Sequence, residues 1–236
     1  IDFIQQLIVP SGTGQGKAFK LDEFQLAFIR DVYEPLRKGT LNRAVRRAIL
    51  SMARKNGKTA LIACLVLAHL VGPEATVNGE IYSAATEREQ AGIVFRYAAQ
   101  IVRATPEIGN YLRIVDSTKT IVCFGNGSVY RAISAEAGSK HGFNPTVVIY
   151  DELAQARNRE LYDVLDTSMG ARDEPLFIVI STQSNDPQHI LSELIDDGLS
   201  AKDPTIVTHL YAVPVDDLLD DEADGVLSDE ELWRLA

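Results

Sequence analysis

The sequence is poor in the residues that staple a fold or ligate metals. Two cysteines, Cys64 and Cys123, both sit inside apolar runs, and the four histidines are scattered without close spacing. A disulfide-dense scaffold is excluded, and a protein-held zinc site is not expected. The cysteines read as small core residues in a reducing compartment. No apolar stretch approaches the ~20 residues that span a bilayer, so neither a membrane partner nor a signal peptide is expected. No local Ser/His/Asp or Cys/His signature marks a nucleophile, and no internal repeat is visible. The chain begins at Ile1 and stops at Ala236 inside a helical pattern, as expected of a portion of a longer protein.

Basic charge is also scarce, with 23 Lys and Arg against 33 Asp and Glu and a formal net charge of −10. Location matters more than the total. Nine acids and no base lie between Asp216 and Glu231, and without them the chain carries only −1. The body is therefore near neutral, with Arg37, Lys38, Arg43, Arg46 and Arg47 clustered in one segment. That cluster reads either as a solvated face or as a patch that tracks phosphates. At 236 residues, 46% hydrophobic and 24% charged, the chain has the composition of one α/β domain with a small appendage.

What is present is a phosphate-binding signature. A short, mainly apolar run after Arg47 is followed by the turn Ala53-Arg54-Lys55-Asn56-Gly57-Lys58-Thr59, and a helical apolar pattern starts at once. Strand, loop and helix in that order are the context a P-loop requires. Backbone N–H groups of the turn and the free N-terminus of the helix would face anionic oxygens. Lys58 would reach the β- and γ-phosphates as a point charge, and the Thr59 hydroxyl would ligate Mg²⁺. Met52 stands where G-x-x-x-x-G-K-[ST] begins with glycine.

Around this loop the chain alternates strand and helix patterns. Residues 21–29 have the spacing of an amphipathic helix, and Gln25 on it carries an amide able to read an adenine edge. Residues 80–85 read as a buried strand followed by a helix over 88–103. The runs 120–124 and 128–133, separated by Gly125-Asn126-Gly127, read as a hairpin. Residues 134–144 are polar and small, and read as a mobile loop.

Thr146-Val147-Val148-Ile149-Tyr150-Asp151-Glu152 is the second decisive stretch, a buried strand delivering two acids into a crevice at its C-terminal end. Asp151 would hold Mg²⁺, directly or through water, and Glu152 would polarise the attacking water. A helix over 158–170 and a buried strand from 176 follow. The strand ends in Ser181-Thr182-Gln183, whose hydroxyl and amide groups suit either a γ-phosphate sensor or a strand cap. A helix over 189–198, a last strand over 205–213 and the acidic segment complete the chain.

Taken in order, Phe24-Gln25, the Ala53–Thr59 loop, Ala84-Ala85-Thr86 with Glu89-Gln90-Ala91, Val148-Ile149-Tyr150-Asp151-Glu152 and Ser181-Thr182-Gln183 resemble the ATPase domain of large terminase subunits of tailed double-stranded DNA phages. P-loops of that family commonly lack the first glycine and carry an arginine just inside, as Met52 and Arg54 do here. The resemblance implies an α/β P-loop NTPase of RecA/ASCE type, with a mainly parallel central sheet flanked by helices and a short C-terminal linker or lid. It places Gln25 in the adenine motif, Lys58 and Thr59 in Walker A, Asp151 and Glu152 in Walker B, and Ser181, Thr182 and Gln183 in the coupling motif. Arg54 would contact the γ-phosphate or relay its state.

Further implications are organisational. The ATPase domain would occupy residues 1–213, with 1–45 forming the adenine-motif region, and 214–236 would lead toward a metal-dependent nuclease domain outside this chain. ATP and Mg²⁺ are the implied cofactors. Double-stranded DNA, the portal of the procapsid, a small terminase subunit and further copies in a ring, a pentamer when assembled, are the implied partners. The setting is the host cytoplasm, with transient docking on the procapsid and absence from the mature virion. Family members often carry a trans-acting arginine before Walker B. This loop reads Ser139-Lys140-His141-Gly142, which leaves Lys140 as a substitute without the planar fork of Arg, and Arg131 as a second candidate. Two other readings remain. A superfamily 2 translocase would need a second RecA-like domain, for which too few residues follow Thr205. A module that binds ATP without turnover would have no use for Glu152.

Overall fold

Residues 1–54, 56–134 and 142–212 are described by the structure, a computed structural model. Lys55, Lys140 and the segment expected to form a linker or lid lie outside the described residues, as does most of the expected loop over 134–144.

The most apolar runs of the chain become its innermost strands. Helices α1 (Asp2–Gln6) and α2 (Glu23–Tyr33) precede β1 (Arg47–Ser51), which leads through the P-loop into α3 (Lys58–Leu70). Then come β2 (Glu80–Ala85), α4 (Arg88–Ala104), α5 (Pro106–Gly109), β3 (Leu112–Val115), β4 (Thr120–Cys123) and β5 (Val129–Ser134). The chain continues with β6 (Val147–Asp151), α6 (Glu160–Ser168), β7 (Leu176–Ser181), α7 (Ile190–Leu199) and β8 (Ile206–Leu210). One eight-stranded sheet results, in the order β3-β4-β5-β2-β6-β7-β1-β8. From β5 to β8 every pair is parallel, and β3 and β4 add an antiparallel edge.

Alternation along each inner strand divides the core into two layers. Ala48, Leu50, Val147, Ile149, Ile178 and Ile180 face the side covered by α1 to α4. Ile49, Val148, Tyr150, Phe177 and Val179 face the side covered by α6 and α7. Helix α3 is buried nearly all round, because the sheet lies beneath it and α1 and α4 flank it.

Thus the expected mainly parallel sheet is present, and the Gly125-Asn126-Gly127 turn joins an antiparallel β4–β5 pair. Strand β3 and helices α1 and α5 had no counterpart in the sequence reading. They span only four, five and four residues, too few for a hydrophobic period to declare itself, and β3 exists because it pairs with β4.

The basic cluster before β1 is neither a free face nor a uniform patch. Arg43 is buried, donates through Nε to the Val45 carbonyl at 2.9 Å and through Nη2 to the Glu174 carbonyl at 3.0 Å, and lies over the Tyr33 ring. Arg47 is paired with Asp166 at 2.8 Å. These arginines tie the 173–174 turn and α6 to the pole of the sheet opposite the P-loop.

His69 belongs to the same pole. It is buried, with Nε2 2.8 Å from the Tyr33 hydroxyl. Burial drives its imidazole down to about 3, and the Arg43 guanidinium pushes the same way. Because the folded value lies below the unfolded one, the unfolded chain binds the extra proton between these limits. Stability therefore falls as pH drops below about 6.5. From pH 7 to 5 this one group should remove about 2 kcal/mol from wild type and nothing from His69→Gln. Denaturant titration of both proteins at the two pH values checks it; parallel losses would exclude His69 as the source.

Candidate active site

Lys58, Asp151 and Glu152 lie together at the C-terminal ends of β1 and β6, beside Thr182 just past β7. Strand β1 stops at Ser51, and the chain turns back through a loop whose last residue, Gly57, adopts a left-handed φ of 71° and N-caps α3. A side chain is disfavoured there by backbone conformation alone. Lys58, the first helical residue, is only 8% exposed. Its Nζ donates to the Met52 carbonyl at 3.0 Å and the Ala53 carbonyl at 3.4 Å, and sits 3.2 Å from Glu152 Oε1.

Met52 accounts for its own departure from the glycine pattern. Its backbone N–H donates to the Ser181 carbonyl at 3.0 Å, while its side chain is 4% exposed and packs in the core layer under α3. A side chain that points into the core leaves the phosphate-facing side of the loop as open as glycine would.

The acidic pair is split by a backbone kink. Asp151 ends β6 in register with Ile180 and shares the strand face of Val147 and Ile149, toward α3 and α4. Glu152 takes a left-handed φ of 54° and its N–H donates to the Ile180 carbonyl at 2.8 Å. A non-glycine residue in that region is strained, and such strain is found where a side chain must be aimed. Here the kink brings the Glu152 carboxylate between two motifs: Oε1 faces Lys58, and Oε2 accepts from the Thr182 backbone N–H at 3.1 Å and its hydroxyl at 3.0 Å.

Asp151 is held differently. It is 3% exposed, and its Oδ2 accepts from Gln90 Nε2 at 3.2 Å. Burial, with the Glu152 carboxylate adding to it, pushes its carboxyl up to about 6, against the opposing influence of Gln90 and Lys58. Among the described residues no cation forms an ion pair with this carboxylate, and Lys58 pairs with Glu152 instead.

The other candidate residues divide by distance from this centre. Gln25 is buried on α2, accepts the Asp22 N–H through Oε1 at 3.0 Å, and brings Nε2 to 3.5 Å from where a Cβ on Gly57 would lie. Ala53, Asn56 and Thr59 are half-buried in the loop and first turn of α3, while Arg54 is exposed on the loop. Ser181 is buried on the opposite face of β7, where its hydroxyl accepts the Ala154 N–H at 3.0 Å, and Gln183 is exposed beyond it. Arg131 is exposed on β5 beside Tyr82, whose hydroxyl lies 3.4 Å from its Nη1. By register it sits level with Val148, about 10 Å along the strands from Asp151. In the sequence Gln90 belongs to a family-like stretch but carries no local signal that joins it to an acid 61 positions away.

In this sheet the P-loop strand β1 and the acidic strand β6 are separated by β7, which ends at Ser181 with Thr182 directly after it. A P-loop NTPase domain of the additional-strand type is defined by that order and by an acid at the end of the non-adjacent strand. Residues 23–198 match the family model of the terminase large subunit ATPase domain, and the chain belongs to that family. It is 44% identical over 239 residues to the terminase large subunit of Enterobacteria phage HK97, a match covering 100% of this chain and 45% of that protein. The crystal structure of the HK97 large terminase superposes with a TM-score of 0.84 at 40% identity, over 99% of this chain and 49% of that one. The chain thus spans about half the length of the relative it matches. The ATPase domain of the Thermus phage P74-26 large terminase matches with a TM-score of 0.62 at 15% identity, over 92% of each chain. A large terminase from a thermophilic bacteriophage, solved in complex with ADP, matches with a TM-score of 0.57 at 12% identity, over 91% of this chain and 52% of that one. These last two share the fold. Among the described residues no helix is long and apolar enough to cross a membrane.

Proposed function

We propose that this chain hydrolyses ATP and couples the hydrolysis to the movement of double-stranded viral DNA into a procapsid. The observation that carries the reading is Glu152, bridged between Lys58 at 3.2 Å and the Thr182 hydroxyl at 3.0 Å. One carboxylate touches both the phosphate-binding lysine and the coupling strand. A γ-phosphate taken up by Lys58 would replace Glu152 as that lysine's anionic partner. Glu152 would then be free to accept a proton from water while Thr182 holds its other oxygen in place. Loss of the γ-phosphate would restore the Lys58–Glu152 pair, and the change would reach β7 through Thr182.

The donor set fits Mg²⁺. Asp151 is a buried carboxylate whose side-chain hydrogen bond comes from a neutral amide, and the Thr59 hydroxyl opens the same helix as Lys58. Mg²⁺ would be held by Thr59 and Asp151 and would supply charge neutralisation on the β- and γ-oxygens. Gln25 would read the adenine edge, its position beside Gly57 supporting that role. Exposed Arg54 would follow the γ-phosphate. A module that merely binds nucleotide would not need a water-polarising acid, so Glu152 favours turnover.

In this reading residues 1–213 are the motor, 1–45 its adenine-motif region and 214–236 a linker or lid toward a nuclease domain that cuts concatemeric DNA. Subunits form a ring around the duplex, engage the portal and a small terminase subunit, and work in the host cytoplasm. Contacts to DNA are then mostly to phosphates, because a motor must pass every sequence. A neighbouring subunit's cation, Lys140 or Arg131, completes each site, which makes turnover depend on assembly. Turnover per chain should rise with protein concentration, by up to about 10³–10⁵ for a full arginine-type contribution. Steady-state hydrolysis over a wide concentration range tests it, and a strictly constant rate per chain would remove the trans-acting group.

A further inference from the structure

We propose that Gln90 is a positioning residue that orients Asp151 for the divalent cation accompanying the nucleotide. The inference rests on the ATPase reading above and assigns a role to a residue outside both the P-loop and the acidic strand. Gln90 lies in the first turn of α4, and its Nε2 donates to Asp151 Oδ2 at 3.2 Å.

The two acids at the end of β6 are served by different elements. Glu152 is held by Lys58 of α3 and by Thr182 beyond β7. Among the described residues, the Gln90 amide is the side-chain donor that Asp151 has to itself. A carboxylate that binds a cation through one oxygen needs a hydrogen bond on the other to fix its plane, and removing such a bond typically costs about 10–100-fold in metal affinity. A neutral amide suits the task. It donates to Oδ2 without adding a positive charge that would compete with the incoming cation, which a lysine at this position would do.

The contact also has mechanical reach. Helix α4 packs against α3, whose first residues are Lys58 and Thr59, and against β2 and β5. Through Gln90 it is additionally tied to the end of β6, so α4 connects by packing and by one hydrogen bond the two elements, α3 and β6, that carry Thr59 and Asp151. Any turn of the Asp151 carboxylate on cation binding is felt first by α4.

The test compares ATPγS affinity of wild type, Gln90→Met and Gln90→Ala, each measured with Mg²⁺ and with EDTA. Met keeps the length and helix preference of Gln while removing the donor, and Ala removes both. Both variants should weaken binding with Mg²⁺ by about 10–100-fold and leave the affinity in EDTA within about twofold, given that a neutral amide contributes only through the carboxylate it orients. Equal weakening with and without Mg²⁺ would mark Gln90 as a packing residue and overturn the proposal, as would unchanged affinity in both conditions. If wild type itself binds ATPγS equally with Mg²⁺ and EDTA, the cation site of the ATPase reading fails and this role fails with it. A Mg²⁺-dependent wild type with indifferent variants removes Gln90 alone.

Discussion

Glu152→Gln should lower ATP turnover by about 10²–10⁴-fold, the usual worth of a positioned general base, while nucleotide affinity stays level or tightens. The amide keeps an oxygen to accept from Thr182 N–H and Oγ1, so the strand contact survives. It loses the charge that now occupies Lys58 at 3.2 Å, so Lys58 meets a phosphate without first leaving a carboxylate. The two effects separate chemistry from binding. Single-turnover hydrolysis and equilibrium ATPγS binding on the same preparation measure both. Turnover equal to wild type would remove Glu152 from the water-activating role, and the assignment of β6 as the catalytic acidic strand would fall with it.

Lys58→Met should be the second large effect, and it has two parts. Loss of a charge-assisted contact to phosphate is worth about 1.5–3 kcal/mol, or about 10–150-fold in ATP affinity. Before any nucleotide arrives, the substitution also strands Glu152, whose side chain is only 11% exposed beside a lysine that is 8% exposed. Breaking a buried pair from one side typically costs about 3–5 kcal/mol, because the remaining charge is left desolvated. The stability loss should therefore be larger than that of Glu152→Gln, which leaves a cation able to keep the Met52 and Ala53 carbonyls. Combining the two substitutions should recover part of the loss, since neither charge then remains. Urea unfolding of the three variants reads this. Simple additivity would show that the pair is not coupled, and unchanged ATP affinity in Lys58→Met would exclude it as the phosphate-binding lysine.

Much of the site was legible because its chemistry is local. The run 47–59 contains a strand, a turn and a helix start in immediate succession, so nearest-neighbour geometry alone delivers Lys58 and Thr59 to the same turn of α3. Likewise Val147 to Asp151 are buried at every position, and a continuous apolar run ending in acids reads as an inner parallel strand with its carboxylates at the rim. The antiparallel β4–β5 pair was legible for the same reason, its Asn-Gly turn being a short-range signal. Met52 looked like a flaw in the motif, and it became intelligible once its side chain was seen in the core.

What only the tertiary structure decided was which distant groups meet. No sequence spacing places β7 between β1 and β6, yet that order is what brings Thr182 onto Glu152 from 30 positions away. The left-handed kink at Glu152 likewise depends on its N–H finding the Ile180 carbonyl of a neighbouring strand. Gln90 reaches Asp151 because β2 pairs with β6 and so delivers the start of α4 to the same rim. The basic cluster before β1 shows the converse. Charge counted along the chain suggested an open face, whereas packing buried Arg43 and paired Arg47 with Asp166. Hydrophobic period, turn chemistry and short motifs are properties of neighbouring residues, so the sequence by itself determined the elements and the acids and cations they carry. Strand order and side-chain pairing arise from contacts between residues far apart in the chain, so only the folded protein decided which acid received the lysine and which received the amide.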